Sequence, residues 1–418
     1  MARFIAIMAA LAIAACESSP CEDAALFTPC PDCGPGEVKG GVATNGFGAG
    51  RAVVRPAGGI ARVGCETHLV RHDAAFAVDA DVGLYARWTP ALQAVTADDL
   101  VLVVDRVPGE SGPADLVAVA ESGTELWRIP TVAEKVWLAP AGVAVIVYGS
   151  SQEATSFGDY TVQGLFAVGL GAGDGQPLWA WSAPQSFAST ITAAGADDGS
   201  VVVAGSFDGE LALGGTTAPL NAGAAAGFIG RIDATGAGVW SRQLIGPAAS
   251  DVRWISLAPD GSIAVAGSYS GGSLDLDAVV LSSEAELSDQ FVAVLEPDGT
   301  PRWGMNLGDG TTERIQAIAA TDAGVVVGGW HADAALSFGG PTVAQEFDAY
   351  LARLTDGAVT WLVQIGGAGN QSVAGVGWNG ALHASVVQYA SESGPEASLD
   401  FRAATLEGDG AIHIELAP

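Results

Sequence analysis

Hydrophobic positions in this chain recur in a fixed order. An apolar run opens on an aromatic or large residue, passes through an aspartate- or glycine-rich turn, and ends on a tryptophan. The phrase reads FIGRIDATGAGVW from Phe228, FVAVLEPDGTPRW from Phe291 and YLARLTDGAVTW from Tyr350. Earlier copies are FAVDADVGLYARW from Phe76, LVAVAESGTELW from Leu116 and FAVGLGAGDGQPLW from Phe166. A seventh, FRAATLEGDGAIHI from Phe401, has isoleucine in place of the tryptophan, and in the other six the opening residue and the tryptophan are 11 to 13 residues apart. Between these copies lies a second unit, a short apolar strand, a glycine turn and a valine-rich strand, as in VRWISLAPDGSIAVAGSYS from Val252 and TITAAGADDGSVVVAGSF from Thr190. Each unit has the pattern of a β-hairpin.

Two hairpins per repeat and seven repeats predict about twenty-eight short antiparallel strands. A four-stranded sheet cannot cover both its faces alone, whereas radial stacking of such sheets covers them mutually and leaves short edges. The expected fold is therefore all-β, a seven-bladed β-propeller over residues 51–418. Trp88, Trp127, Trp179, Trp240, Trp303 and Trp361 are expected to dock between blades, each indole burying about 150–250 Å². The variable connections, such as that following Asp208, are expected on one side of the ring.

The phrases DGSIAVAGS, FVAVLEPDGTPRW and IDATGAGVW resemble bacterial extracellular β-propeller repeats and are similar to the tryptophan-docking repeats of pyrroloquinoline-quinone-type propellers. The resemblance covers about residues 52–418 and implies architecture. It does not imply an activity, since such repeats serve binding, scaffolding and catalysis alike.

The first fifteen residues, MARFIAIMAALAIAA, carry one cation and then an apolar run too short to span a membrane. They read as an export signal. Ile13-Ala14-Ala15-Cys16 resembles a lipobox, which makes Cys16 the expected lipid attachment point and the lipid the expected membrane link; the alternative is ordinary cleavage that leaves Cys16 a plain thiol. Residues 16–50, rich in cysteine, glycine and proline, read as a stalk. Export to an oxidising compartment favours disulfides among Cys21, Cys30, Cys33 and Cys65, with three possible connectivities. Cys30-Pro31-Asp32-Cys33 also admits a redox or zinc reading, with Cys65, His68 and His72 as further ligands. The redox version needs a helix start in a thioredoxin-like context, which is absent, and the metal version needs closely spaced ligand pairs, whereas more than thirty residues separate Cys33 from Cys65.

The 418 residues carry 47 acidic and 17 basic side chains, a formal net charge of −30 that repels phosphate backbones and excludes nucleic acid as a partner. No P-loop, serine elbow or zinc-protease motif is present. The histidines are His68, His72, His331, His383 and His413; the first two would share a helix face, but their surroundings favour strand or loop. Asp-Gly pairs at Asp198, Asp260, Asp298 and Asp309 fit hairpin turns better than calcium loops, whose full spacing is missing. Trp137, Trp254 and Trp378 occupy similar places on the first strands of three repeats, where they either pack in the core or face the central channel and stack on a flat ligand.

These readings predict a noncatalytic, lipid-anchored, monomeric protein of the bacterial cell envelope, associated with the outer membrane and without a cofactor. Its propeller would present a surface to an envelope protein or a glycan. The alternatives are an envelope assembly scaffold and an enzyme with a cofactor or metal in the channel.

Overall fold

The valine-rich segments form the second strands of the blades and are covered on both faces, which is why they read as continuous apolar runs rather than alternating ones. Val201, Val202, Val203 and Ala204 are all buried, as are Val325, Val326 and Val327. Each run ends in a glycine for a steric reason. A Cβ on Gly205, Gly267 or Gly329 would stand less than 2 Å from the carbonyl oxygen of Thr190, Asp251 or Arg314 on the first strand beside it. At Gly267 and Gly329 the third strand's opening ring, Phe291 or Tyr350, covers the same spot, and both rings are fully buried. The glycine and the aromatic residue of the repeat thus fit each other.

A computed structural model describes residues 23–24, 38–45, 52–63, 68–74, 78–83, 89–106, 113–184, 190–215, 217–246, 249–282, 288–307, 313–332, 336, 347–367, 369–389, 398–401, 404–407 and 410–416. Six four-stranded antiparallel sheets and one five-stranded sheet form the seven blades of a β-propeller. Blades 1 to 6 span 53–83, 89–131, 135–183, 191–244, 250–306 and 313–365; blade 7 takes its first three strands from 370–416. The first strands line up around the axis, and that of blade 7, Asn370–Trp378, returns to that of blade 1, Val53–Val54. Among the described residues, apolar clusters fill the six seams from blade 1 to blade 7, for example Val202, Ile229, Val265 and Phe291 between blades 4 and 5.

The ring closes by strand exchange. The fourth strand of blade 7 is Val38–Asn45, paired antiparallel with Gly410–Leu416 in the register Val42 to His413 and Ala43 to Ile412; Asp23–Ala24 pairs on its outer edge. Residues 38–45 were expected in the stalk and are blade structure instead. The seam is also bonded: Asn379 of blade 7 donates to the Arg55 carbonyl of blade 1 at 2.6 Å. The Arg55 guanidinium grips Asp99 of blade 2 through Nε at 3.0 Å and Nη2 at 2.5 Å, a bidentate buried pair.

Two repeat copies are corrected. Phe401 does not open the third strand of blade 7; it ends one arm of a separate hairpin, Ser398–Phe401 with Ala404–Glu407, and the third strand is Gly410–Leu416. This copy lacks a tryptophan because its fourth strand comes from the other end of the chain. In blade 1 the third strand is His68–His72 rather than a strand from Phe76, and the fourth is Val78–Gly83. The other variable connections lie between second and third strands, as the long paired arms Ala144–Phe157 with Tyr160–Gly171 and Val201–Leu211 with Leu220–Ile232.

Candidate functional site

Every fourth strand from blade 1 to blade 6 carries a register shift just before one position. A bulge there turns the side chain toward the next blade. The position is occupied by Trp127, Trp179, Trp240, Trp303 and Trp361 in blades 2 to 6, and by Ala80 in blade 1. Trp88, like residues 1–15, Cys16, Cys21, Cys30, Cys33 and Cys65, lies outside the described residues. Trp127 donates to the Ala172 carbonyl of blade 3 at 2.7 Å, and Trp240 to the Pro297 carbonyl of blade 5 at 3.1 Å. Each ring lies over a turn glycine of the next blade. A Cβ would come within 2.9 Å of Trp127 at Gly175, and within 2.8 Å of Trp179 at Gly236 and of Trp240 at Gly299.

Trp303 breaks this series. Its nearest turn glycine, Gly357, would place a Cβ 4.0 Å away. The cause is local: blade 6 joins its third and fourth strands by Asp356 and Gly357 alone, both at positive φ (50° and 76°), where blade 5 uses the longer Glu296–Thr300 segment. The shorter turn lies less closely against Trp303, which is half-buried.

A cleft of about 260 Å³ opens there between blades 5 and 6, lined by Trp303, Ser262, Arg302, Asp260, Asp322 and Asp356 among others. Asp260 accepts from the Ser262 backbone N–H at 2.9 Å. Bonds from Ser262, then the nearby Arg302 charge, hold its carboxyl below the usual range. Arg302 is itself bound by Glu296, at 2.8 Å through Nε and 3.0 Å through Nη2. Three exposed carboxylates thus stand beside an indole face whose neighbouring cation is already engaged. Such a site suits a cation, by charge and by cation–π attraction. Its volume lies below that of pockets for drug-sized ligands and matches a single side chain.

The other sequence candidates are scattered. Trp137 stacks on Tyr148, ring centroids 5.8 Å apart at 22°, and packs on the core between blades 3 and 4. Trp254 packs with Trp303 on the core between blades 5 and 6. Trp378 lines a second cavity of about 220 Å³ with Gln93, His383 and Ser385, where the first strands of blades 7, 1 and 2 meet. His383 and His413 lie on adjacent strands of blade 7, and His413 Nδ1 is 2.9 Å from the Ser385 hydroxyl. His331, in blade 6, contacts Gln364 at 3.1 Å. His68 and His72 begin and end one strand, which separates them by about 13 Å. Asp198, Asp260 and Asp298 each accept from the N–H two residues on, at 2.9 Å, in turns that need no metal. Asp309 lies outside the described residues. Among the described residues, no group of three or more His, Cys, Asp or Glu converges on a metal position.

Sequence reasoning missed Arg302, Asp322 and Asp356. Its one signal was the shortened copy from Tyr350, and the consequence of that shortening falls on a tryptophan in the preceding blade.

No protein-family model matches the chain, and no curated protein matches it. Among solved structures it is similar to BamB from Moraxella catarrhalis, at 12% identity, covering 88% of this chain and 97% of that one, with a TM-score of 0.44. It is similar to hydrazine synthase of Kuenenia stuttgartiensis at 12% identity, covering 90% and 98%, with a TM-score of 0.49. A further similarity is to the C-terminal WD40 domain of Sif2, at 11% identity, covering 88% and 95%, with a TM-score of 0.43.

Proposed function

We propose that this chain is a noncatalytic binding protein of the bacterial cell envelope. It is held to a membrane by lipid on Cys16 and recognises a protein partner through a basic side chain seated in the cleft between blades 5 and 6. The export signal and lipobox support the location. The observation that carries the binding mode is the placing of Trp303 in one cleft with Asp260, Asp322 and Asp356. A lysine or arginine side chain offers a cation for the carboxylates and a methylene stem for the ring. The field of a chain with net charge −30 draws such partners in.

Calorimetric titration with N-acetyl-lysinamide, N-acetyl-argininamide and the uncharged N-acetyl-norleucinamide tests this reading. The two cations bind and norleucinamide does not; D322N/D356N abolishes binding, as does one proline inserted before Asp356 to restore the longer turn. Equal heats from all three compounds, or binding that survives both variants, would remove the cleft as the recognition site.

A further inference from the structure

Three blades place an arginine on the third strand directly across from the bulged position: Arg71 opposite Ala80, Arg231 opposite Trp240 and Arg353 opposite Trp361. In two of them the arginine reaches the turn between the third and fourth strands of the next blade. Arg71 donates to the carbonyls of Glu121 at 2.6 Å and Ala120 at 3.1 Å. Arg231 donates to the Pro297 carbonyl at 3.5 Å, the same oxygen that accepts from Trp240. Arg71 Nε still lacks a partner, and Arg231 is held chiefly within its own blade, Nε by the Ser200 hydroxyl at 3.1 Å and Nη2 by Asp198 at 3.1 Å.

Among the described residues, Arg353 has no such turn to reach. The blade ahead of it is blade 7, whose third strand is flanked by the exchanged strand Val38–Asn45 and not by a strand joined to it through a turn. Within blade 6, Gly324 stands where Ser200 serves Arg231 in blade 4, and Nε and Nη2 of Arg353 and Nε1 of Trp361 are buried with no hydrogen-bond partner. Arg353 is 8% exposed, and its Cζ lies 5.6 Å from the centroid of the Trp361 ring. Burial lowers the pKa of this arginine, and the charge of Asp322 opposes that shift. A buried guanidinium with unmet donors carries a desolvation cost of several kcal/mol that an anionic acceptor would relieve.

We propose that Arg353 and Trp361 form a carboxylate-binding site at the seam between blades 6 and 7. The planar fork of the guanidinium matches both oxygens of a carboxylate, and the indole N–H adds a third donor. Trp361 is only half-buried, which gives a ligand a way in. The ligand is a carboxylate, either a free small anion or the terminus of a peptide.

The test is the thermal midpoint of the full chain with sodium acetate, N-acetylglycine or N-acetylglycinamide, against sodium chloride at matched ionic strength. The two carboxylates raise the midpoint and the amide does not; a stronger response to N-acetylglycine assigns the site to peptide termini, and an equal one to small anions. Arg353→Met abolishes the response and without ligand is at least as stable as the parent, because a neutral chain of similar length replaces an unpaired buried cation. Arg353→Lys keeps the charge, loses the fork and weakens the response about tenfold. Arg231→Met serves as control: it lowers the midpoint and leaves the carboxylate response intact. The proposal fails if Arg353→Met responds like the parent, if the amide matches the carboxylate, or if Arg353→Met without ligand loses as much stability as Arg231→Met.

Discussion

Gly299 sits beneath the indole of Trp240 across the seam between blades 4 and 5, so close that a Cβ would stand 2.8 Å from the ring. Its φ of +83° adds a second demand for glycine. G299A is expected to destabilise by about 1–3 kcal/mol through overpacking and backbone strain. W240A, which also removes the bond to Pro297, should cost about 3–5 kcal/mol. Urea midpoints of both variants decide this. G357A, under the looser Trp303, should lose less than G299A, since its Cβ would only reach van der Waals distance.

Strand exchange makes the ring depend on residues far from blade 7 in sequence. A chain lacking residues 38–45 should leave the edge of Gly410–Leu416 unpaired and unfold at a lower temperature with reduced cooperativity. A synthetic peptide of residues 36–47 should restore part of the lost midpoint, and a variant peptide with proline at Val42 should not, since proline has no N–H for the ladder. An unchanged midpoint in the shortened chain would contradict closure by this strand.

Asp348 is the second residue of the third strand of blade 6, Phe347–Thr355, buried on the same face as Glu313 and His331. Burial pushes its carboxyl up to about 6 from the ordinary 3.8. The folded chain therefore holds this proton more tightly than the unfolded chain. Below about pH 4 both forms are protonated and nothing is lost; between about pH 4 and 6 the unfolded chain ionises first, and stability falls as pH rises. The full loss above pH 6 is on the order of 3 kcal/mol. D348N should then be more stable than the parent at pH 7.5, and the difference should vanish near pH 4 in paired denaturation curves.

The lipid proposed on Cys16 has a direct readout. Cells expressing the full chain should incorporate labelled palmitate into it and hold it in the membrane fraction. C16A should lose the label and appear in the soluble fraction, and label retained by C16A would rule out this attachment point.

The chain alone determined the blade as a unit, because that unit is governed by near neighbours. A valine run buried on both faces, a glycine where the first strand's carbonyl presses in, an aromatic ring over that glycine and a tryptophan beyond the next turn all fall within one repeat, and their recurrence yields seven. Tertiary structure decided whatever depends on a different blade. Val38–Asn45, with three glycine and threonine residues among its eight, carries no local mark of a blade strand, and only the open edge of Gly410–Leu416 gives it a place. The copy from Phe401 misled because a free hairpin and a blade strand show the same two-residue alternation. The short turn at Asp356 is plain in the sequence, yet its effect is felt at Trp303, one blade back. Arg353 matches Arg231 in strand position, and differs in its partners, since Gly324 replaces the serine that holds Arg231 and blade 7 takes its fourth strand from the other end of the chain. A side chain's identity is local, whereas the acceptor that satisfies its charge is supplied by whichever backbone the folded ring brings against it.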